Sequence, residues 1–249
     1  MDSTLEQHKR EIEENREHWR RKPLLRRVYA QFYRDIAARI RPDHGGLIVE
    51  LGSGMGNVKE HIPGCITTDV FPNPWLDRVE NAYGLTFGDQ TVGHLILFDV
   101  WHHLRYPGEA LREFSRVLAH RGRIVIFDHA MGFLGKYVVG AFHHEPLGLE
   151  SDIEWTAGED FRPDNAGYYA ARGNASRIFT GEKFKAGLGE WEIKEIKYYF
   201  GVRLPGRWGD FASPAVSNGF AFPFFNSIDS VLSKFPSLSS RTLPDLDKK

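Results

Sequence analysis

Two groups of residues in this chain could do chemistry. The first follows the apolar run Leu47-Ile48-Val49: Glu50, then Gly52, Gly54 and Gly56 at every second position. Glycines so spaced let the backbone turn sharply and let a ligand lie against bare peptide. A dinucleotide fingerprint would need its third glycine at position 57, where Asn57 stands. A phosphate loop would need Gly-Lys-Ser/Thr, which is absent. Asp69 ends the next apolar run, where an acid can accept both hydroxyls of an adenosine ribose. The second group is His102, His103, His129, His143, His144 and Glu145. Imidazole titrates near neutrality, so these are the candidate general bases. Asp99, His102, His103, His143, His144 and Glu145 could also be drawn as a metal cluster, but spacing such as H-E-x-x-H is missing and no metal site is assigned.

The elements that must position these residues alternate. Leu47–Leu51 reads as a buried strand running into a glycine loop and a short helix over 57–62, which Pro63-Gly64 ends. Residues 65–70 read as a second strand, 77–82 as a short third and 94–99 as a fourth. Pro107 opens a helix with Ala110, Leu111, Phe114, Val117 and Leu118 on one face, and Gly122 leads into a fifth strand over 123–128. This strand-helix alternation predicts an α/β fold: a Rossmann-like, mostly parallel sheet with helices on both faces and ligands at the carboxyl ends of its strands.

Decorations flank that core. Residues 1–45 form an N-terminal helical extension, and 46–249 form the main domain. Residues 3–20 are charge-dense and suit a solvated helix or a frayed arm. Leu24, Val28, Phe32, Ile36 and Ile40 recur every fourth residue, which predicts a helix to about Arg41. Residues 130–180 and 201–225 break the alternation and read as lid or acceptor-binding insertions, with short helices near 134–142 and 225–235. Thr180 is expected to cap a helix to Leu188. Trp191–Phe200 is expected to be a strand whose parity changes at a bulge near Lys194-Glu195. Residues 241–249 make a poor strand because Pro244 interrupts them.

Composition narrows the function. The 249 residues can bury a full core, and the net charge of −1 argues against a dedicated nucleic-acid partner. The single cysteine, Cys65, cannot form an intrachain disulfide, which fits a reducing, cytoplasmic setting. No apolar run reaches the ~20 residues of a membrane span. The basic run of Arg20, Arg21, Lys22, Arg26 and Arg27 reads first as a solvated face, and second as a contact for an anionic substrate or membrane surface.

From Val49 to Ala130 the chain resembles the class I S-adenosylmethionine (SAM)-dependent methyltransferases of the broad methyltransferase-11-like group. The resemblance rests on the Glu50–Gly56 loop, Asp69, Asn81-Ala82, Asp99-Val100-Trp101-His102-His103-Leu104 and Arg116-Val117-Leu118, in that order. Beyond that core, 142–146 and 217–220 are similar to bacterial methyltransferases of surface-sugar and secondary-metabolite pathways. The group usually has Asp-Ala where this chain has Asn81-Ala82, and Pro-Gly-Gly where it has His120-Arg121-Gly122. Its closing antiparallel strand is degenerate here.

The resemblance implies a SAM-dependent O-methyltransferase acting on a small molecule such as a sugar or secondary metabolite. It implies a cofactor site of Glu50, Gly52, Ser53, Gly54, Gly56, Asp69, Val70, Asn81, Ala82, Phe98 and Asp99. Glu50 would orient the loop and help hold the ammonium. Asp69 would take the ribose hydroxyls, Val70 would pack on adenine, and Asn81 would accept from the adenine amino group. His103 and His144 are the candidate catalytic groups, His103 because it would lie beside the methyl. Two other readings stay open: a methyltransferase on RNA or protein, and a non-catalytic module that binds SAM or its product for a partner.

Overall fold

The computed structural model describes residues 2–132, 148–165, 167–199 and 239–249. The helices expected near 134–142 and 225–235, Phe200, and the site candidates His143, His144 and Glu145 lie outside the described residues.

Seven strands form one sheet in the order β3-β2-β1-β4-β5-β7-β6. They are β1 (Leu47–Leu51), β2 (Ile66–Asp69), β3 (Arg78–Val79), β4 (Val92–Phe98), β5 (Leu118–His129), β6 (Trp191–Tyr199) and β7 (Arg241–Lys248). β1 to β5 pair in parallel, while β7 runs antiparallel to both β5 and β6. The chain order reverses between β1 and β4, which opens a crevice at the carboxyl ends of those strands.

Both faces of the sheet are covered. Central β4 is buried along its whole length, so its sequence is apolar at nearly every position. Ile96 and Phe98 of β4 point to one face, with Val125, Phe127 and Leu243. Helix α2 (Pro23–Ala37) lies there and inserts Val28, Phe32, Tyr33 and Ile36. Fully burying side chains of this size contributes about 1.5–3 kcal/mol each, well above any surface ion pair. Leu95 and Leu97 point to the other face. Helix α3 (Pro107–Val117) and the short helix α4 (Asn174–Phe179) cover that side with Leu111, Phe114, Ile178 and Phe179. Helix α1 (Asp2–Arg21) precedes α2, and the Arg26 guanidinium donates to the carbonyls of Trp19 and Arg20 at its end.

Several sequence expectations are corrected. α2 ends at Ala37 rather than near Arg41. The backbone N–H of Arg41 instead donates to His94 Nε2 at 3.0 Å, latching the entry loop onto β4. Burial lowers the His94 pKa to about 4, so the ring that accepts this bond is neutral. The helix after the glycine loop is only a 3-10 turn, Asn57–Glu60. The third strand contracts to Arg78–Val79.

No helix follows Thr180, which closes α4 as its C-cap; the Thr180 hydroxyl donates to the Ser176 carbonyl at 2.6 Å. Glycines interrupt the stretch that follows, and at Gly187 the Trp155 indole occupies the space of a side chain, 2.4 Å from an added Cβ. The bulge in β6 does occur, between Ile193 and Glu195.

The largest correction concerns β7, which is an eight-residue inner strand. Pro244 has no N–H to give, and the pairing with β5 runs 123–125 against 247–245, then resumes at Asp128 opposite Thr242. Charges secure the strand: Arg123 holds Asp247 at 2.7 Å, and Arg39 and Arg123 both reach Asp245.

Candidate functional site

At the carboxyl end of β1, Glu50 is 1% exposed, and neither carboxylate oxygen has a hydrogen-bond partner among the described residues. Burial, reinforced by the charge of Asp69, pushes its pKa up to about 7. An unpaired buried carboxylate costs several kcal/mol, so this group is poised for a cationic partner.

The loop beyond is zipped to β2. The Ser53 N–H donates to the Thr68 carbonyl at 2.7 Å; the Ser53 hydroxyl accepts from the Thr68 N–H at 3.1 Å and donates to the Glu50 carbonyl. The Ser53 side chain thus serves the loop itself. Gly52 has φ +68°, and a Cβ there would lie 2.4 Å from Val100 Cγ2. Gly54 also has positive φ, but among the described residues an added Cβ would meet nothing within 4 Å. The first glycine is therefore required by packing, and the second faces open space. Gly56, also at positive φ, enters the 3-10 turn. Asp69 is buried at the end of β2 and accepts from the Gly54 N–H at 3.1 Å and the Phe71 N–H at 3.3 Å, which fixes its carboxylate beside the loop. The Trp75 indole donates to the Gly54 carbonyl at 2.9 Å, with the Arg16 guanidinium of α1 stacked over its ring.

Val70 is 52% exposed next to Asp69. Asn81 is oriented by its neighbours: Oδ1 accepts from the Tyr83 N–H, and Nδ2 donates to the Pro163 carbonyl. Ala82 packs on the core. The Phe98 ring is absorbed in the α2 face against Tyr33 and Phe127, so only its backbone borders the crevice. Asp99 follows in a left-handed conformation, φ +56°, and holds the guanidinium of Arg241 from the start of β7.

A second cluster sits at the carboxyl ends of β4 and β5. Asp128 is fully buried and accepts three donors: the His102 N–H at 3.0 Å, the His129 N–H at 2.6 Å and His102 Nδ1–H at 2.9 Å. A carboxylate only accepts, so His102 must carry its proton on Nδ1. Burial favours protonation of Asp128, yet His102 and His129 overcome it and hold the pKa at about 2. Arg172 donates to His129 Nε2 at 2.6 Å. The His102, Asp128 and His129 ligand atoms lie within 4.8 Å of one another, but the amide donors and the adjacent guanidinium make this a hydrogen-bond network.

His103 lies on the outer side of the same turn. Its Nδ1 donates to the Tyr169 carbonyl at 2.9 Å, which makes Nε2 the basic nitrogen. Its ring stands 4.0 Å from that of His102 and 5.6 Å from that of Tyr168, which is 75% exposed.

Of the residues gathered here, the sequence reading named His102, His103 and His129 as candidates and did not name Asp128, Tyr169, Arg172 or Arg241. For Asp128 a signal existed, an acid closing a strand directly before His129. The others come from segments without a motif.

Residues 50–126 match the family model described as a methyltransferase domain. The match runs from the end of β1 into β5, the parallel half of the sheet with the glycine loop and the His102-His103 turn. Over those residues the chain is similar to a methyltransferase domain.

No curated protein matches the chain. Among solved structures, the chain is similar to a geranyl diphosphate methyltransferase in complex with GPP and sinefungin, at 14% identity and a TM-score of 0.51, covering 89% of this chain and 77% of that one. It is also similar to geranyl diphosphate C-methyltransferase from Streptomyces coelicolor A3(2), in complex with Mg2+, geranyl diphosphate and S-adenosyl-L-homocysteine. That likeness is 13% identity and a TM-score of 0.51, over 90% and 81% of the two chains. At such identity the likeness is one of fold. No described helix of the domain is long and apolar enough to cross a membrane.

Proposed function

We propose that this chain transfers a methyl group from SAM to a small-molecule acceptor, at an oxygen of a sugar or secondary metabolite. The observation that carries the reading is the Glu50 carboxylate, buried and, among the described residues, unpartnered at the root of a glycine loop; there Gly54, with no described residue over it, lies beside Asp69. A ligand with an ammonium and a ribose diol satisfies all three features. Glu50 meets the ammonium, Gly54 admits close approach, and Asp69 accepts from the hydroxyls. Val70 and the edge at Asn81-Ala82 offer a half-open seat for the base. When bound, SAM supplies a methyl already activated on a sulfonium. The chain has to hold an acceptor in line with it, which can contribute several kcal/mol of the barrier, and take up a proton. His103 Nε2 is the group for that proton, since Tyr169 fixes the ring in the required tautomer.

The test is a calorimetric titration of the protein with S-adenosylhomocysteine, with NAD as the control. Micromolar binding of the first alone, about −8 kcal/mol, is the expected result. Binding of NAD, or of neither, overturns the cofactor assignment. Transfer of a labelled methyl into fractionated extracts then identifies the acceptor, and a label found on RNA or protein overturns the small-molecule reading.

A further inference from the structure

We propose that Asp128 is a positioning residue for the acceptor-side base, acting through His102 on His103. The inference rests on the methyl-transfer reading for its purpose, and on the geometry of the β4 and β5 ends for its substance.

The turn Trp101–His103 has no side-chain cap of its own. Asp128 supplies the missing acceptor from the neighbouring strand by taking the His102 N–H at 3.0 Å, and it orients the same residue's ring through Nδ1–H at 2.9 Å. Its other anchor is the His129 N–H, so the carboxylate ties the exit of β5 to the exit of β4. The oriented His102 ring is the surface on which His103 rests, with centroids 4.0 Å apart. From the opposite side the 169–171 segment clasps the turn twice: the Ala171 N–H donates to the His102 carbonyl at 2.9 Å, and the Tyr169 carbonyl accepts His103 Nδ1–H. His103 is thus held between a ring fixed by Asp128 and a carbonyl that dictates its tautomer.

The charge at this position needs a reason. Two amide donors can be satisfied by a neutral side chain, without the several kcal/mol that a buried carboxylate costs. Only the imidazole of His102 gains from an ionised partner. Asp128 therefore serves the orientation of the histidine pair as well as the fold.

The experiment uses the full chain labelled with nitrogen-15 in histidine, as wild type and Asp128→Asn, read by long-range proton–nitrogen NMR. Asparagine keeps the volume and one acceptor oxygen but replaces the second oxygen with an NH2 donor and removes the negative charge. In the wild type, His103 is expected to show the proton on Nδ1 and the lone pair on Nε2. In Asp128→Asn the two tautomers of His103 are expected to average, while the Kd for S-adenosylhomocysteine stays within about twofold of wild type. A folded Asp128→Asn protein with an unchanged His103 spectrum overturns the proposal. Should that variant not fold, His102→Gln removes the intermediary ring: a released His103 supports the relay, and a wild-type spectrum overturns it. If the wild type binds no S-adenosylhomocysteine, the methyl-transfer reading fails by itself, and the spectra still decide whether Asp128 positions His103.

Discussion

The two ends of the crevice are built by different means. On the β1–β2 side the working parts are backbone, bare glycine and two carboxylates, Glu50 and Asp69. They sit close in sequence, with Asp69 and Gly54 separated by 15 positions. On the β4–β5 side the parts are side chains gathered from afar: His102 and Asp128 are 26 positions apart, and His103 and Tyr169 are 66. Among the described residues, the first end leaves a buried carboxylate without a hydrogen-bond partner, whereas the second surrounds its carboxylate with three donors. A site awaiting a cation and a site already neutralised have different tasks. The unsatisfied end is suited to capture a constant, charged cofactor. The satisfied end is suited to hold a base steady against an acceptor.

If that division is right, a change on the second side should slow turnover and spare cofactor binding. His103→Ala is expected to reduce methyl transfer by about 10²–10⁴-fold, the usual contribution of a positioned base, with S-adenosylhomocysteine affinity changed by less than about twofold. Labelled-methyl transfer and calorimetry measure the two quantities separately. Transfer at the full rate would place the base elsewhere and dissolve the contrast.

Gly52→Ala is the matching blow to the first side. A side chain there would combine a left-handed backbone, at about 1–3 kcal/mol, with a collision against the stiff, β-branched Val100. The expected result is a lower Tm and roughly 100-fold weaker binding. Gly54→Ala shares the positive φ without the collision, so its Tm should fall less while binding still weakens. Equal Tm losses in both variants would show that strain alone governs this loop.

The same contrast explains what the sequence made legible. The glycine spacing, Asp69 and the apolar alternation are local patterns, and local patterns decide strands, tight loops and the parallel half of the sheet. The bulge in β6 was legible too, because a change of parity at Ile193 and Ile196 is written in consecutive residues. β7 was not legible. Pro244 argued against a strand, but the strand is set by ion pairs of Asp245 and Asp247 with Arg39 and Arg123, which no local pattern reveals. The network around Asp128 failed for the same reason: Tyr169 and Arg172 belong to a stretch without periodicity and acquire their roles only when the chain returns to the sheet. The glycine after Thr180 likewise outweighed its promise as a helix start, and Thr180 closes a helix instead.

Asp69→Ala tests whether the local motif does what its place suggests. Losing charge-assisted hydrogen bonds to a ribose, together with the latch on the Gly54 N–H, is worth ~1.5–3 kcal/mol, or about 10–100-fold in Kd for S-adenosylhomocysteine. Unchanged affinity would remove Asp69 from the site and leave it as a loop latch.

The effect of pH is the most specific, because it carries a sign that few alternatives share. Burial raises Glu50 from its ordinary 4.5 to about 7. Between those values the folded protein binds a proton that the unfolded chain has lost. Ligand-free stability should therefore fall as pH rises through that window, the reverse of a salt-bridged carboxylate. Glu50→Gln removes the charge while keeping the shape. It should stabilise the ligand-free protein at pH 8 by up to ~3 kcal/mol, read as a higher Tm, and the gain should vanish below about pH 4.5. Binding should show the opposite trend. Wild-type affinity for S-adenosylhomocysteine is expected to weaken several-fold from pH 8 to pH 6 as Glu50 takes up its proton, while the Gln variant binds more weakly at pH 8 and varies little. Thermal unfolding and calorimetry at these pH values decide the matter. A Gln variant no more stable than wild type at pH 8 would mean that Glu50 already has its partner within the chain, and the two ends of the crevice would then be built alike.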